Sequence, residues 1–165
     1  MNYWHESGCP KNKLVMGMPL YGQSFTLTKS SENGLNAPAK AGGKAGLITF
    51  WIQKTFFTSS FSLGIATRAK GFLAYHEICR LIKQGYTVVH DEKNPPRMGP
   101  YATKGDQWVG FDNKEMIAQK CNYVREQGFG GGMVWALDLD DFNNLCGEGA
   151  YPLMNTMREI LGPAK

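Results

Sequence analysis

Apolar residues run almost without interruption through Lys13-Leu-Val-Met-Gly-Met-Pro-Leu-Tyr21, and again through Gly130-Gly-Gly-Met-Val-Trp-Ala-Leu137. Runs that neither alternate nor recur at helical spacing predict strands buried on both faces. Gly22 to Leu27 continues the first run in extended form. Further on, Phe72, Tyr75, Cys79 and Ile82 recur at helical spacing and predict a helix over residues 72 to 84, stopped by Gly85. Residues 86 to 90 alternate like a short strand, Asn94-Pro-Pro96 reads as a turn, and residues 107 to 111 as another strand. Asp112 with Glu115 is an acidic variant of the capping box. The helix it opens runs to about Gln127, with Ile117, Cys121 and Val124 on one face and Gly128 as its stop. Pro152 suits the first turn of a last helix carrying Leu153, Met157, Ile160 and Leu161. Residues 28 to 46, with Gly42-Gly43, have the chemistry of a loop, and Trp4 reads as an interior helix residue.

The predicted order is strand, long excursion, helix, strand, helix. A buried strand, a helix and a second buried strand imply a parallel βαβ unit with a right-handed crossover. In a (β/α)8 barrel, an excursion between a strand and its helix leaves from the C-terminal face, where sites are built. Tyr21 ends one strand and Trp135 the other, so both are expected at one cleft.

Composition narrows the class. The 165 residues are 42% hydrophobic and 19% charged, enough for one compact core. The net charge is +4, with Lys and Arg scattered, which reads as a solvated surface and excludes a nucleic-acid partner. Residues 14 to 20 are far too short to cross a bilayer, and no leader pattern opens the chain, so no membrane partner is expected. Four cysteines without Cys-x-x-Cys spacing argue against zinc, and His5, His76 and His90 have no metal-binding spacing. No metal and no cofactor are expected. The glycines and aromatic residues suit an extracellular enzyme or carbohydrate binder. Nothing in the sequence sets the oligomeric state.

Four blocks, in order, resemble glycoside hydrolase family 18 chitinases of arthropod type: Lys13 to Leu27 the seventh barrel strand, Gly71-Phe-Leu-Ala-Tyr-His-Glu-Ile-Cys79 the helix of the α+β insertion domain, Gly105-Asp-Gln-Trp-Val-Gly-Phe-Asp112 the return to the barrel, and Gly130 to Phe142 the eighth strand and its loop. The resemblance implies an α/β fold: the last two strands and helices of a (β/α)8 TIM barrel, with an insertion domain. It divides the chain into residues 1–21 (end of a barrel helix and strand seven), 22–111 (insertion domain) and 112–165 (barrel helix seven, strand eight and a final helix). It further implies hydrolysis of β-1,4-N-acetylglucosamine linkages in chitin by substrate-assisted retention, an exception to the two-carboxylate scheme. The Asp-x-x-Asp-x-Asp-x-Glu motif that carries the acid is missing here, as is the Met-x-Tyr-Asp motif. This chain alone therefore has no catalytic residue and is expected to be inactive. The alternative is a non-catalytic, lectin-like chitin binder.

By resemblance, Trp135 is the floor under a sugar, Met133 lies on the same side two residues earlier, and Tyr21 contacts sugar. Gln23 offers a hydrogen bond to a hydroxyl, and Tyr101 lines the cleft from the insertion domain. Barrel packing is the competing role for Met133 and Trp135. Asp138, Asp140 and Asp141 are assigned to turn-forming and helix capping rather than proton transfer. Cys79 and Cys146 match positions that pair in a disulfide, which fits secretion; Cys9 and Cys121 either pair or stay free. Residues 47 to 65 interrupt the resemblance with an aromatic, β-prone stretch, read as translated intron or gene-model error, or as a lineage-specific loop touching chitin through Trp51 and Phe57.

Overall fold

The computed structural model describes residues 1–44, 67, 69–92 and 98–163. The atypical stretch 47–65 and the expected turn at Asn94-Pro-Pro96 lie outside the described residues. In chain order the elements are α1 (Asn2–Glu6), β1 (Val15–Pro19), β2 (Tyr21–Leu27), β3 (Ala39–Gly42), β4 (Phe72–Ala74), α2 (Tyr75–Lys83), β5 (Thr87–Val89), β6 (Tyr101–Lys104), β7 (Gln107–Phe111), α3 (Lys114–Gln127), β8 (Gly131–Trp135) and α4 (Pro152–Leu161).

They form two sheets. β1 and β8 pair in parallel, Val15 opposite Gly131 and Pro19 opposite Trp135. α3 lies between them in sequence, so the expected parallel βαβ unit is present. The second sheet has six strands in the order β3-β2-β7-β6-β5, with β4 also on β2, and every pairing in it is antiparallel.

The long apolar run beginning at Lys13 is thus not one strand buried on both faces. It breaks at Leu20, and the two pieces enter different sheets. One face of the β1–β8 pair is packed: Met18 is buried, and a side chain at Gly132 would come within 2.8 Å of the Met157 methyl of α4. α3 adds Ile117, Cys121 and Val124 to this core, as the spacing predicts. The other face is open. Val15 is 53% exposed, Met133 49% and Trp135 69%. Continuous apolarity marks strands meant for two covered faces, and the described residues cover only one.

The six-stranded sheet buries Leu73, Ala102, Val109 and Phe111. Gly22 makes this packing possible, because a Cβ there would lie 2.7 Å from Val109 and 2.8 Å from Ile78 of α2. A disulfide between Cys79 of α2 and Cys146 of the segment after β8 ties the two sheets' layers together across a sequence separation of 67. Cys9 and Cys121 are free thiols, Cys121 buried with burial pushing its thiol upward.

Several local expectations change. Phe72 to Ala74 is a strand, because β2 offers an open edge to which Ala74, Leu73 and Phe72 pair, and the helix begins only at Tyr75. Residues 39–42 form a strand inside the expected loop, and β6 pairs with β7 as an unforeseen hairpin. The cap of α3 is Asn113, whose side chain accepts the Met116 N–H at 3.0 Å. Asp112 instead pairs with Lys120. Gly128 does stop that helix, at φ 69°. Trp4 is 60% exposed and so is no interior residue.

Candidate functional site: an aromatic wall beside two strand ends

At the C-terminal end of the parallel pair, Pro19 lies opposite Trp135. The next residue, Leu20, is fully buried and donates its N–H to the Trp135 carbonyl at 3.3 Å. Its carbonyl accepts the Tyr75 N–H at 3.1 Å. One residue therefore joins the parallel pair to the first turn of α2, and Tyr21 opens β2 immediately after it.

Alternation along β2 places Tyr21, Gln23 and Phe25 on the face opposite the buried Gly22 and Ser24. Neighbouring strands extend that face with more rings. Phe72, the partner of Gln23, lies 4.7 Å from the Tyr21 ring. Trp108, the partner of Phe25, lies 5.9 Å from it, and Tyr101 stacks on Trp108 at 5.2 Å and 23°. Gly110 gives the indole its place, since a Cβ there would meet the Trp108 ring at 2.8 Å.

Tyr21, Gln23, Tyr101 and Trp108 of this face, with Pro19 and Asp112, line part of an open cavity of about 340 Å³. Tyr21, Gln23 and Tyr101 are thus brought together. Trp135 and Met133 are not in its lining; they stand on the open face of β8, joined to the cavity through Pro19, the partner of Trp135. The Trp135–Ala136 peptide is cis. Sequence reading missed Phe72, Phe25 and Trp108. Period-two alternation in Tyr-Gly-Gln-Ser-Phe, carried past Gln23, points to Phe25, whereas Phe72 was absorbed into a helical pattern.

Asp112 is the single carboxylate among the described lining residues, and it is paired with Lys120. The acidic group after β8 is occupied elsewhere. Asp140 is fully buried and accepts the N–H groups of Asp141 at 2.8 Å and Met154 at 2.9 Å, which caps α4. Burial pushes its carboxyl upward, against those backbone donors. Asp141, also fully buried, accepts the N–H groups of Leu145 at 2.8 Å and Cys146 at 2.7 Å. Turn-forming and capping roles hold for both. Among the described residues one cluster of sulfur and carboxylate atoms forms, Cys79, Asp141 and Cys146, but its sulfurs are spent in the disulfide. The wall offers flat rings, phenol hydroxyls and one amide. That chemistry suits an uncharged ligand with apolar C–H faces and hydroxyl groups.

The family model for glycosyl hydrolases family 18 matches residues 1–140. The chain belongs to glycosyl hydrolase family 18. It is 52% identical over 162 residues to probable chitinase 10 of Drosophila melanogaster, covering 98% of this chain and 6% of that protein. It resembles catalytic domain 2 of Ostrinia furnacalis Group II chitinase, solved in complex with penta-N-acetylchitooctaose, at 42% identity and a TM-score of 0.83, covering 99% of this chain and 38% of that one. It resembles human YKL-39, described as a pseudo-chitinase with retained chitooligosaccharide binding properties, at 37% identity and a TM-score of 0.78, covering 98% of this chain and 38% of that one. This family 18 chain thus corresponds to the C-terminal part of the catalytic domain, a partial TIM barrel with the α+β insertion, and spans well under half of the relatives it matches. Among its described residues no helix is long and apolar enough to cross a membrane.

Proposed function

We propose that this chain forms one wall of the chitin-binding cleft of a secreted family 18 chitinase. The observation that carries the reading is the joint at Leu20, which sets the Tyr21–Gln23–Tyr101 cavity beside the end of β8 where Trp135 stands. Trp135, 69% exposed, is the floor for one sugar ring, with Met133 beside it; Tyr21 and Tyr101 pack on and hydrogen-bond the next, and Gln23 reaches a hydroxyl. Residues 22–111 act as the insertion domain, flanked by barrel segments 1–21 and 112–165. The parent enzyme cleaves β-1,4 linkages by substrate-assisted retention. The acid comes from a motif that this sequence does not contain. The disulfide supports an extracellular setting.

The purified chain should bind β-1,4-linked N-acetylglucosamine oligomers with no turnover. Trp135→Ala and Tyr21→Ala should each weaken binding about tenfold, the scale of one well-packed ring contact. Calorimetric titration and a reducing-end assay read both. Turnover by the chain, or affinity untouched by either substitution, would reject the assignment. A non-catalytic binding role for the parent is the second reading, favoured by the likeness to YKL-39. A glutamate ending an upstream Asp-x-x-Asp-x-Asp-x-Glu block decides between them.

A further inference from the structure

The segment that leads from β2 into β3 contains two successive turns. The first closes where Glu32 donates its N–H to the Lys29 carbonyl at 3.3 Å, with the Lys29 ammonium 2.8 Å from the Glu32 carboxylate. The second closes where Ala37 donates its N–H to the Gly34 carbonyl at 3.2 Å. Asn33 belongs to neither closure and joins the two. Gly34 follows it directly, the single Asn-Gly step in the sequence.

Such a step carries its own chemistry. The side-chain amide carbon of an asparagine lies within ring-closing reach of the next residue's backbone nitrogen. Two things ordinarily prevent closure. A side chain on the next residue crowds that nitrogen, and hydrogen bonds hold the amide or the N–H in place. Glycine removes the first obstacle. The fold leaves out the second, because neither the Gly34 N–H nor the Asn33 side chain has a hydrogen-bond partner among the described residues. A Cβ built at Gly34 would meet nothing within 4 Å, so no neighbour shields the nitrogen. Gly34 is exposed and Asn33 partly exposed, which gives water and base access to both. Other asparagines differ on each count. The Asn113 side chain accepts the Met116 N–H at 3.0 Å, and that of Asn144 accepts the Gly149 N–H at 2.8 Å. Lys114 and Leu145 follow them, each with a side chain.

We infer that Asn33 is a self-modification site, at which the folded chain converts an amide to a carboxylate without an enzyme. The Gly34 nitrogen gives its proton to base in the solvent and bonds to the Asn33 side-chain amide carbon. The bond from that carbon to the amide nitrogen breaks, and the nitrogen takes up a proton and leaves as ammonia. Water then adds to either carbonyl of the cyclic imide and breaks its bond to the Gly34 nitrogen, giving aspartate or isoaspartate. The balance is amide plus water to carboxylate plus ammonium. Either product places a new negative charge beside Glu32 and lowers the net charge of +4 by one. Isoaspartate also inserts a backbone carbon between the two turns. None of this depends on the chitin-cleft reading.

The test incubates the full chain in mildly alkaline buffer, beside a synthetic peptide of residues 29–37, and follows the Asn33 peptide by mass spectrometry after digestion. Asn33 in the chain should gain the mass of amide-to-acid exchange at a rate close to that of the peptide, and ahead of Asn113 and Asn144. Gly34→Ala should slow the conversion severalfold, and Asn33→Gln should remove it. Gly34 lacks a positive φ and has open space at its Cβ, so alanine fits there, and equal unfolding midpoints check this. An amide that persists in the chain while the peptide converts would overturn the site, as would a rate that Gly34→Ala leaves unchanged.

Discussion

His76 is 5% exposed on α2, with its ring 5.4 Å from that of Phe142. Burial holds its imidazole below the ordinary value of 6.5; Arg80 adds to this, while Glu77, Asp138 and Asp141 oppose it. The unfolded chain takes up the proton near the ordinary value, the folded chain only at lower pH. Between those points the unfolded state binds more protons, so stability falls as pH falls. The midpoint of urea unfolding should therefore drop from about pH 7 to about pH 5, and His76→Gln should flatten part of that slope. A midpoint equally pH-dependent in the variant would contradict the assignment. Single residues differ in how far the sequence revealed them. The place of Trp135 at the end of β8 was legible, whereas Tyr21, expected to end the first strand, opens β2 because that strand stops at Pro19. Phe72 was not legible, because its spacing to Tyr75 and Cys79 satisfies a helix while an open strand edge claims it first.

Elements with their own stop signals were readable. Gly128 takes up a left-handed conformation just where α3 ends, and Pro152 sits in the first turn of α4. Elements that exist only through a neighbour were not: β3, β4 and β6 are short and hold their form through pairing with β2 and β7. The Cys79–Cys146 bridge fixes α2 to the segment after β8, helped by Asp141, which binds the Cys146 N–H, and by the Tyr75 hydroxyl, 3.4 Å from Glu148. Cys79→Ser with Cys146→Ser should cost about 2–5 kcal/mol of stability. Thermal unfolding under non-reducing conditions measures it, and a midpoint equal to that of the unsubstituted chain would show the bridge to be dispensable.

At the scale of the molecule, the order of strand, excursion, helix and strand gave the parallel pair correctly, since handedness and connectivity leave few alternatives. Two barrel strands without the rest of a barrel are also expected to leave apolar surface uncovered, and one side of that pair does stay open. Val15, Met133 and Trp135 on that side, and Leu137 just beyond β8, are all about half exposed or more, and large apolar side chains left open in this way favour association. The isolated chain should self-associate through that side. Light scattering should show a concentration-dependent rise in mass that Met133→Lys reduces, and a monodisperse monomer at all concentrations would refute this.

The buried residue between the two sheets has a mechanical corollary. With both its peptide groups committed to opposite neighbours, Leu20 leaves no slack for a hinge. Swinging the aromatic wall outward would break two bonds and wet a leucine at once. The wall is thereby anchored to the end of the parallel pair at both sides of a single residue.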